Sequence, residues 1–79
     1  MHYVYILKSD RITRTYVGHT NDVRRRLREH NSGNEPATEL GRPWKVAAYL
    51  AFDSRPRAIA FERYLKSHSG RAFMAKRLL

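Results

Sequence analysis

Residues 2–8, HYVYILK, form a largely apolar run rich in β-branched and aromatic types. That pattern predicts a strand ended by Ser9-Asp10. It puts Tyr3, Tyr5 and Leu7 on one face and Val4 and Ile6 on the other. Residues 9–14 are polar and predict a turn. Residues 15–18, TYVG, predict a short second strand, hairpin-paired with the first. Residues 44–52, from Trp44 to Phe52, form a third alternating run, with Val46, Ala48, Leu50 and Phe52 on one face.

Helical spacing appears twice between and after these strands. Thr20-Asn21-Asp22 supplies capping oxygens for a helix running to about His30 and stopped by Asn31-Ser32-Gly33. Val23 and Leu27 are its apolar positions, and arginines crowd the rest. Asp53-Ser54 begins a second helix, with Pro56 in the first turn where proline is tolerated. Ala58, Phe61 and Leu65 are its apolar stripe. Ser67 to Gly70 is expected to break that helix, and Arg71 to Leu79 to form a short last one. The intervening 31–43 segment, rich in Gly, Pro, Asn and Glu, reads as a loop. The order β-β-α-β-α-α predicts one α+β domain over residues 1–79, a three-stranded, mostly antiparallel sheet flanked by helices.

Composition narrows the function. The 79 residues contain no cysteine, which excludes disulfides, thiolate metal sites and a cysteine nucleophile. No apolar run approaches the ~20 residues of a membrane span, and the first residues lack the signal-peptide pattern. The expectation is a cytoplasmic monomer with no membrane partner. Sixteen basic residues face seven acidic ones, for a net charge of +9. Twelve of the sixteen are Arg, whose planar fork of donors matches phosphate oxygens. The excess points to nucleic acid.

Tyr5 and Tyr16 lie in adjacent predicted strands, and pairing of the hairpin would aim both phenols the same way. Gly18 shares that face and clears space for a close approach. Tyr3-Val4-Tyr5, then Tyr16-Val17-Gly18-His19, then an Arg-rich helix, resemble the GIY-YIG nuclease superfamily. The likeness extends through Trp44–Phe52, Phe61-Glu62-Arg63-Tyr64-Leu65-Lys66 and Ser69-Gly70-Arg71-Ala72-Phe73. These segments are most similar to a small single-domain bacterial branch. Tyr3 replaces the family's first Gly, Val17 its Ile, and a late Asn of several members has no match.

The resemblance implies a metal-dependent endonuclease acting on nucleic acid, DNA above all. It puts Tyr5, Tyr16, Arg26, His30 and Gly18 in the catalytic site. Tyr16 matches the tyrosine proposed as general base. Glu62 matches the metal-binding glutamate, for Mg²⁺ or Mn²⁺. His19, Arg24, Arg25, Arg28 and Lys66 are expected to touch nucleic acid.

The residue types suit phosphodiester hydrolysis, which needs an attacking water, a base and neutralised phosphate charge. A lone carboxylate suits Mg²⁺, which keeps waters and takes ligands from substrate phosphate. No carboxylate pair suggests a two-metal site. Arg26 and His30, at i and i+4, share a helix face and could reach one phosphate. A phenol ionising near its ordinary ~10 is a poor base unless cations favour phenolate. Tyr5 and Tyr16 could instead orient the water. Two simpler readings stand beside these: Glu62 as a partner of Lys66 at i+4, and the whole chain as a nucleic-acid-binding module without turnover.

Overall fold

The computed structural model describes residues 1–79. Strand β1 (His2–Ser9) lies between β2 (Thr15–Thr20) and β3 (Trp44–Phe52), antiparallel to both. Helix α1 (Val23–Asn31) follows β2, while α2 (Arg55–Lys66) and α3 (His68–Arg77) follow β3. The α+β order expected from the sequence is the one observed. The loop before β3 carries a single 3₁₀ turn at Glu39–Gly41. No helix is long and apolar enough to cross a membrane.

β1 takes the centre because Val4, Tyr5, Ile6 and Leu7 are consecutively buried, which requires cover on both faces. On one side Val4, Ile6 and Val17 pack against Ala58 and Leu65 of α2 and Met74 of α3. On the other, Tyr5, Leu7 and Trp44 pack with Tyr16, Val46, and Val23 and Leu27 of α1. The sheet thus separates two small cores, and the second is largely aromatic.

Two details depart from the sequence reading. β3 does not keep Val46 and Ala48 on one face. Ile6 pairs with Ala48 but Leu7 pairs with Val46, so the register shifts by an extra residue at Ala47. Such a bulge switches sides: Val46 packs in the aromatic core, Ala48 and Phe52 in the other. The segment Ser67–Gly70 also does not separate two distant helices. Ser67 ends α2 and at once caps α3, its hydroxyl bonding the Tyr64 carbonyl at 2.5 Å and accepting from the Gly70 amide at 3.1 Å. Helix α3 therefore starts at His68, not Arg71. Gly70 lies inside it, where a Cβ would fall 1.7 Å from the Tyr64 carbonyl oxygen. Glycine is there because two backbones touch, not because a helix breaks.

Candidate active site

The β1–β2 register fixes the first half of the site. Tyr5 pairs with Gly18 and Leu7 with Tyr16, so the two phenols lie diagonally on one face, with ring centroids 6.3 Å apart. The hairpin pairing expected from the sequence aims both phenols the same way, but they do not lie at the same depth. Tyr16 is half-buried, but Tyr5 is only 1% exposed, because α1 and the loop after it fold over its side of the sheet. Gly18 makes that possible. A Cβ there would lie 2.6 Å from the Tyr5 hydroxyl oxygen.

Helix α1 begins at Asp22, whose carboxylate accepts from the Arg25 amide at 3.0 Å. Its last turn brings His30 into the aromatic core, fully buried. His30 Nε2 lies 2.9 Å from the Tyr5 hydroxyl, and Nδ1 lies 2.9 Å from Thr38 Oγ1. The Thr38 hydroxyl donates to the Glu35 carbonyl, at 3.4 Å, so it accepts from Nδ1–H. Nε2 is then left to accept the Tyr5 proton. Trp44 Nε1 donates to the Thr38 carbonyl at 2.7 Å and holds the loop in place. His30 thus grips Tyr5 from within rather than reaching outward beside Arg26. Its ring also packs on Tyr16, with centroids 4.8 Å apart.

Arg26 stays nearer the surface, one turn earlier. Its Nη1 bonds Glu29 Oε1 at 2.6 Å and Glu35 Oε1 at 2.9 Å, and its Nη2 lies 3.4 Å from His30 Nε2. The Glu29 hydrogen bond raises its already high pKa further, so its charge is permanent. Burial raises the Tyr5 phenol above its ordinary value, only partly offset by the neighbouring Arg26 guanidinium. Burial likewise lowers the His30 imidazole below its ordinary value, and Arg26 adds to that.

Glu62 approaches from α2. His19 alternates to the face opposite Tyr5, paired across from Val4, and its Nδ1 meets Glu62 Oε1. Lys66 Nζ bonds Glu62 Oε2 at 2.8 Å, the i+4 pair legible in the sequence. Burial alone would raise the Glu62 carboxyl, but Lys66 and His19 together outweigh it and hold it below the usual range.

No group of three or more His, Asp or Glu side chains gathers anywhere as a ready metal cage. The available donor set is one largely buried carboxylate with an imidazole beside it. This fits a hard cation that keeps its waters and completes its shell with substrate oxygens, and does not fit a tightly caged structural ion.

Around these residues the surface is basic. A hollow of about 350 Å³ is lined by His19, Arg25, Arg26 and Arg55, with His2, Thr20 and Asn21, and by no acid or apolar residue. Arg25 is steadied there by Asn21 Oδ1 at 2.9 Å. Arg24 and Arg28 are exposed farther round α1, and Lys66 is exposed beyond Glu62. The sequence reading missed three contributors: Arg55, Glu35 and Thr38. Arg55 could have been suspected as the first residue of α2. Glu35 and Thr38 sit in a loop with no periodicity to announce them.

The GIY-YIG catalytic domain, as a family, matches residues 1–77. The chain belongs to the GIY-YIG family. The UPF0213 protein HQ_3675A of Haloquadratum walsbyi is 41% identical over 70 residues, covering 86% of this chain and 76% of that protein. The solution structure of the UPF0213 protein BH0048 from Bacillus halodurans matches with a TM-score of 0.57 and 35% identity, over 95% of this chain and 82% of that one. The structure-specific endonuclease subunit slx1 of Schizosaccharomyces pombe is 38% identical over 65 residues, which are 73% of this chain but 24% of that protein. Relatives of this GIY-YIG domain are thus archaeal and eukaryotic as well as bacterial, which corrects the expected bacterial branch.

Proposed function

We propose that this GIY-YIG domain binds nucleic acid, DNA above all, along the basic hollow between α1 and α2, and hydrolyses phosphodiester bonds there. The observation that carries the reading is the convergence of Tyr5, Tyr16, Arg26 and His30 on one face of the sheet, with Glu62 held by His19 of the same strand β2 on the other face. Arg26 offers a fixed positive fork to the phosphate as charge develops. His30 keeps Tyr5 neutral and still, which leaves Tyr16 to take a proton from, or orient, the attacking water. Glu62 is the residue that would hold Mg²⁺ or Mn²⁺, and a bound divalent cation would supply neutralisation of the phosphate charge. One relative bears the name of a structure-specific endonuclease subunit, which accords with cleavage.

Binding without cleavage is the second reading, and a specific observation favours it. Arg26 and Glu62 are both already matched by the protein itself, Arg26 by Glu29 and Glu35, and Glu62 by His19 and Lys66. The relatives matched over most of their length also bear names that state no activity. A nuclease assay on single-stranded and duplex substrates, with Mg²⁺, Mn²⁺ or chelator, separates the two. Divalent-dependent cleavage is expected, with Glu62→Gln and Tyr16→Phe losing on the order of 10² to 10⁴ in rate while binding persists. Salt-sensitive binding with no cleavage under any metal would establish the second reading. A Glu62→Gln protein cutting at the wild-type rate would reduce Glu62 to an ion-pair residue.

A further inference from the structure

The face that carries Tyr5 and Tyr16 does not end with them. Tyr3 lies two residues before Tyr5 on β1, and Tyr49 pairs directly with Tyr5 across β3, so both project to the same side of the sheet. Their rings meet edge to face, with centroids 5.9 Å apart and planes at 67°. Helix α1 covers the middle of this face but begins only at Val23, and the two tyrosines stand beyond its start. They line a hollow of about 430 Å³ together with Val23, Val46, Asn21 and Arg24. Tyr49 is 58% exposed, although Tyr5, its direct partner on β1, is buried.

We propose that this hollow is a subsite for an unpaired nucleobase, stacked on Tyr49 beside Tyr3, while its strand runs into the basic hollow. The inference rests on the nucleic-acid reading above and adds to it the form of the substrate. Three features select the occupant. The aromatic pair leaves a ring face open, and any base can stack on such a face. The wall is mixed: valine methyls, the Asn21 amide and the Arg24 guanidinium suit a flat heterocycle attached to phosphate. Asp22 also borders the hollow, but its carboxylate is spent on the cap of α1.

The third feature is continuity. Asn21 lines both hollows, so the aromatic and basic sites adjoin at one residue. A strand whose base stacks on Tyr49 therefore brings its next phosphates toward Arg25 and Arg26. A fully paired duplex offers no free base to this subsite. The geometry thus favours single strands, flaps and junction arms over perfect duplex.

The test uses the whole chain and DNA oligonucleotides carrying 2-aminopurine, whose fluorescence is quenched by stacking. Three probes are compared: a single strand, a duplex with an unpaired flap, and a perfect duplex, with an RNA strand of the same sequence to tell the two sources of the base apart. The wild type should bind the unpaired probes more tightly and quench them. Tyr49→Ala should weaken that binding on the order of 10-fold and abolish quenching, with duplex binding unchanged. Tyr49→Phe should retain both. Tyr49 is exposed, so thermal unfolding should match the wild type. Equal binding of all probes, or quenching that survives Tyr49→Ala and Tyr3→Ala, would overturn the subsite while leaving the basic hollow standing. Failure of the wild type to bind any probe would overturn the nucleic-acid reading itself.

Discussion

The Tyr5 hydroxyl donates to His30 Nε2 at 2.9 Å, deep in the aromatic core, and this bond sets Tyr5 apart from Tyr16 on the same face. A proton held between a raised phenol and a buried, neutral imidazole is not available as a base's vacancy at neutral pH. Tyr16 shares the face without sharing the bond. The same core that stabilises the domain therefore gives two residues of identical chemistry different surroundings.

Gly18→Ala tests how tightly Tyr5 is held. On conformational grounds alone, alanine in place of a strand glycine should stabilise by roughly 0.5–1 kcal/mol. Here the new Cβ would lie 2.6 Å from the Tyr5 oxygen and 2.8 Å from its Cζ. The ring cannot step aside without breaking its bond to His30. The expected result is a loss of roughly 1–3 kcal/mol, read from the urea midpoint. A more stable Gly18→Ala protein would show that Tyr5 has room to move.

His30 makes stability depend on pH. Burial lowers its folded pKa below the ordinary ~6.5, so its contribution is complete above that value. As pH falls below ~6.5 the unfolded chain binds a proton that the folded one refuses. Stability should then decline by up to ~1.4 kcal/mol per pH unit, until the folded pKa is reached. The depressed Glu62 acts in the same direction at more acidic pH. Following the His30 ring by NMR while measuring unfolding between pH 8 and 5 checks both ends. A His30 titrating at or above ~6.5 would contradict the assignment of its neutral, bonded form.

Much of this was legible in the residues. The β-β-α-β-α-α order followed from period-2 and helical spacing, and Tyr5, Gly18 and Tyr16 were placed on one face by alternation alone. What alternation cannot show is depth: Tyr5 is buried because a loop with no periodicity closes over it. The partner of His30, Thr38, and one partner of Arg26, Glu35, come from that loop. The bulge at Ala47 was equally silent, since alanines suit either side of a sheet. Gly70 misled for a physical reason, because a glycine that ends a helix and one that lets two helices touch look alike in sequence.

Gly70→Ala distinguishes those two roles by sign. In an ordinary helix interior the change should stabilise by about 1 kcal/mol. At this position the Cβ would meet the Tyr64 carbonyl oxygen at 1.7 Å and Leu65 Cα at 2.7 Å, both backbone atoms with no rotamer to yield. Forcing α3 away from α2 would also open the contact of Met74 with Leu65. The domain should lose ~3 kcal/mol or more, enough to leave much of it unfolded. An unchanged thermal midpoint would mean that the α2–α3 junction is looser than its geometry implies.

Arg26 offers the sharpest separation of electrostatics from catalysis. Its guanidinium neutralises Glu29 and Glu35, at 2.6 and 2.9 Å, while lining the basic hollow. Arg26→Ala therefore does two things: it removes a phosphate-binding fork, and it leaves Glu35 unmatched and Glu29 held by Arg25 alone, at 3.7 Å, beside the path of a polyanion. Binding should weaken by more than one lost contact accounts for, and the salt dependence of log affinity should become shallower by about one. Adding Glu35→Gln to Arg26→Ala removes part of the repulsion and should restore affinity by several-fold. Cleavage should not return, because a neutral amide cannot meet charge developing on the phosphate. Arg26→Lys keeps the charge but not the fork, so it should bind almost as the wild type does while cutting on the order of 10²-fold more slowly. The comparison needs only anisotropy titrations across a salt series and single-turnover cleavage of the same probe. Recovery of cleavage together with binding in the Arg26→Ala, Glu35→Gln protein would show that Arg26 serves only to balance its neighbours' charge, and the transition-state role assigned to it would have to be given up.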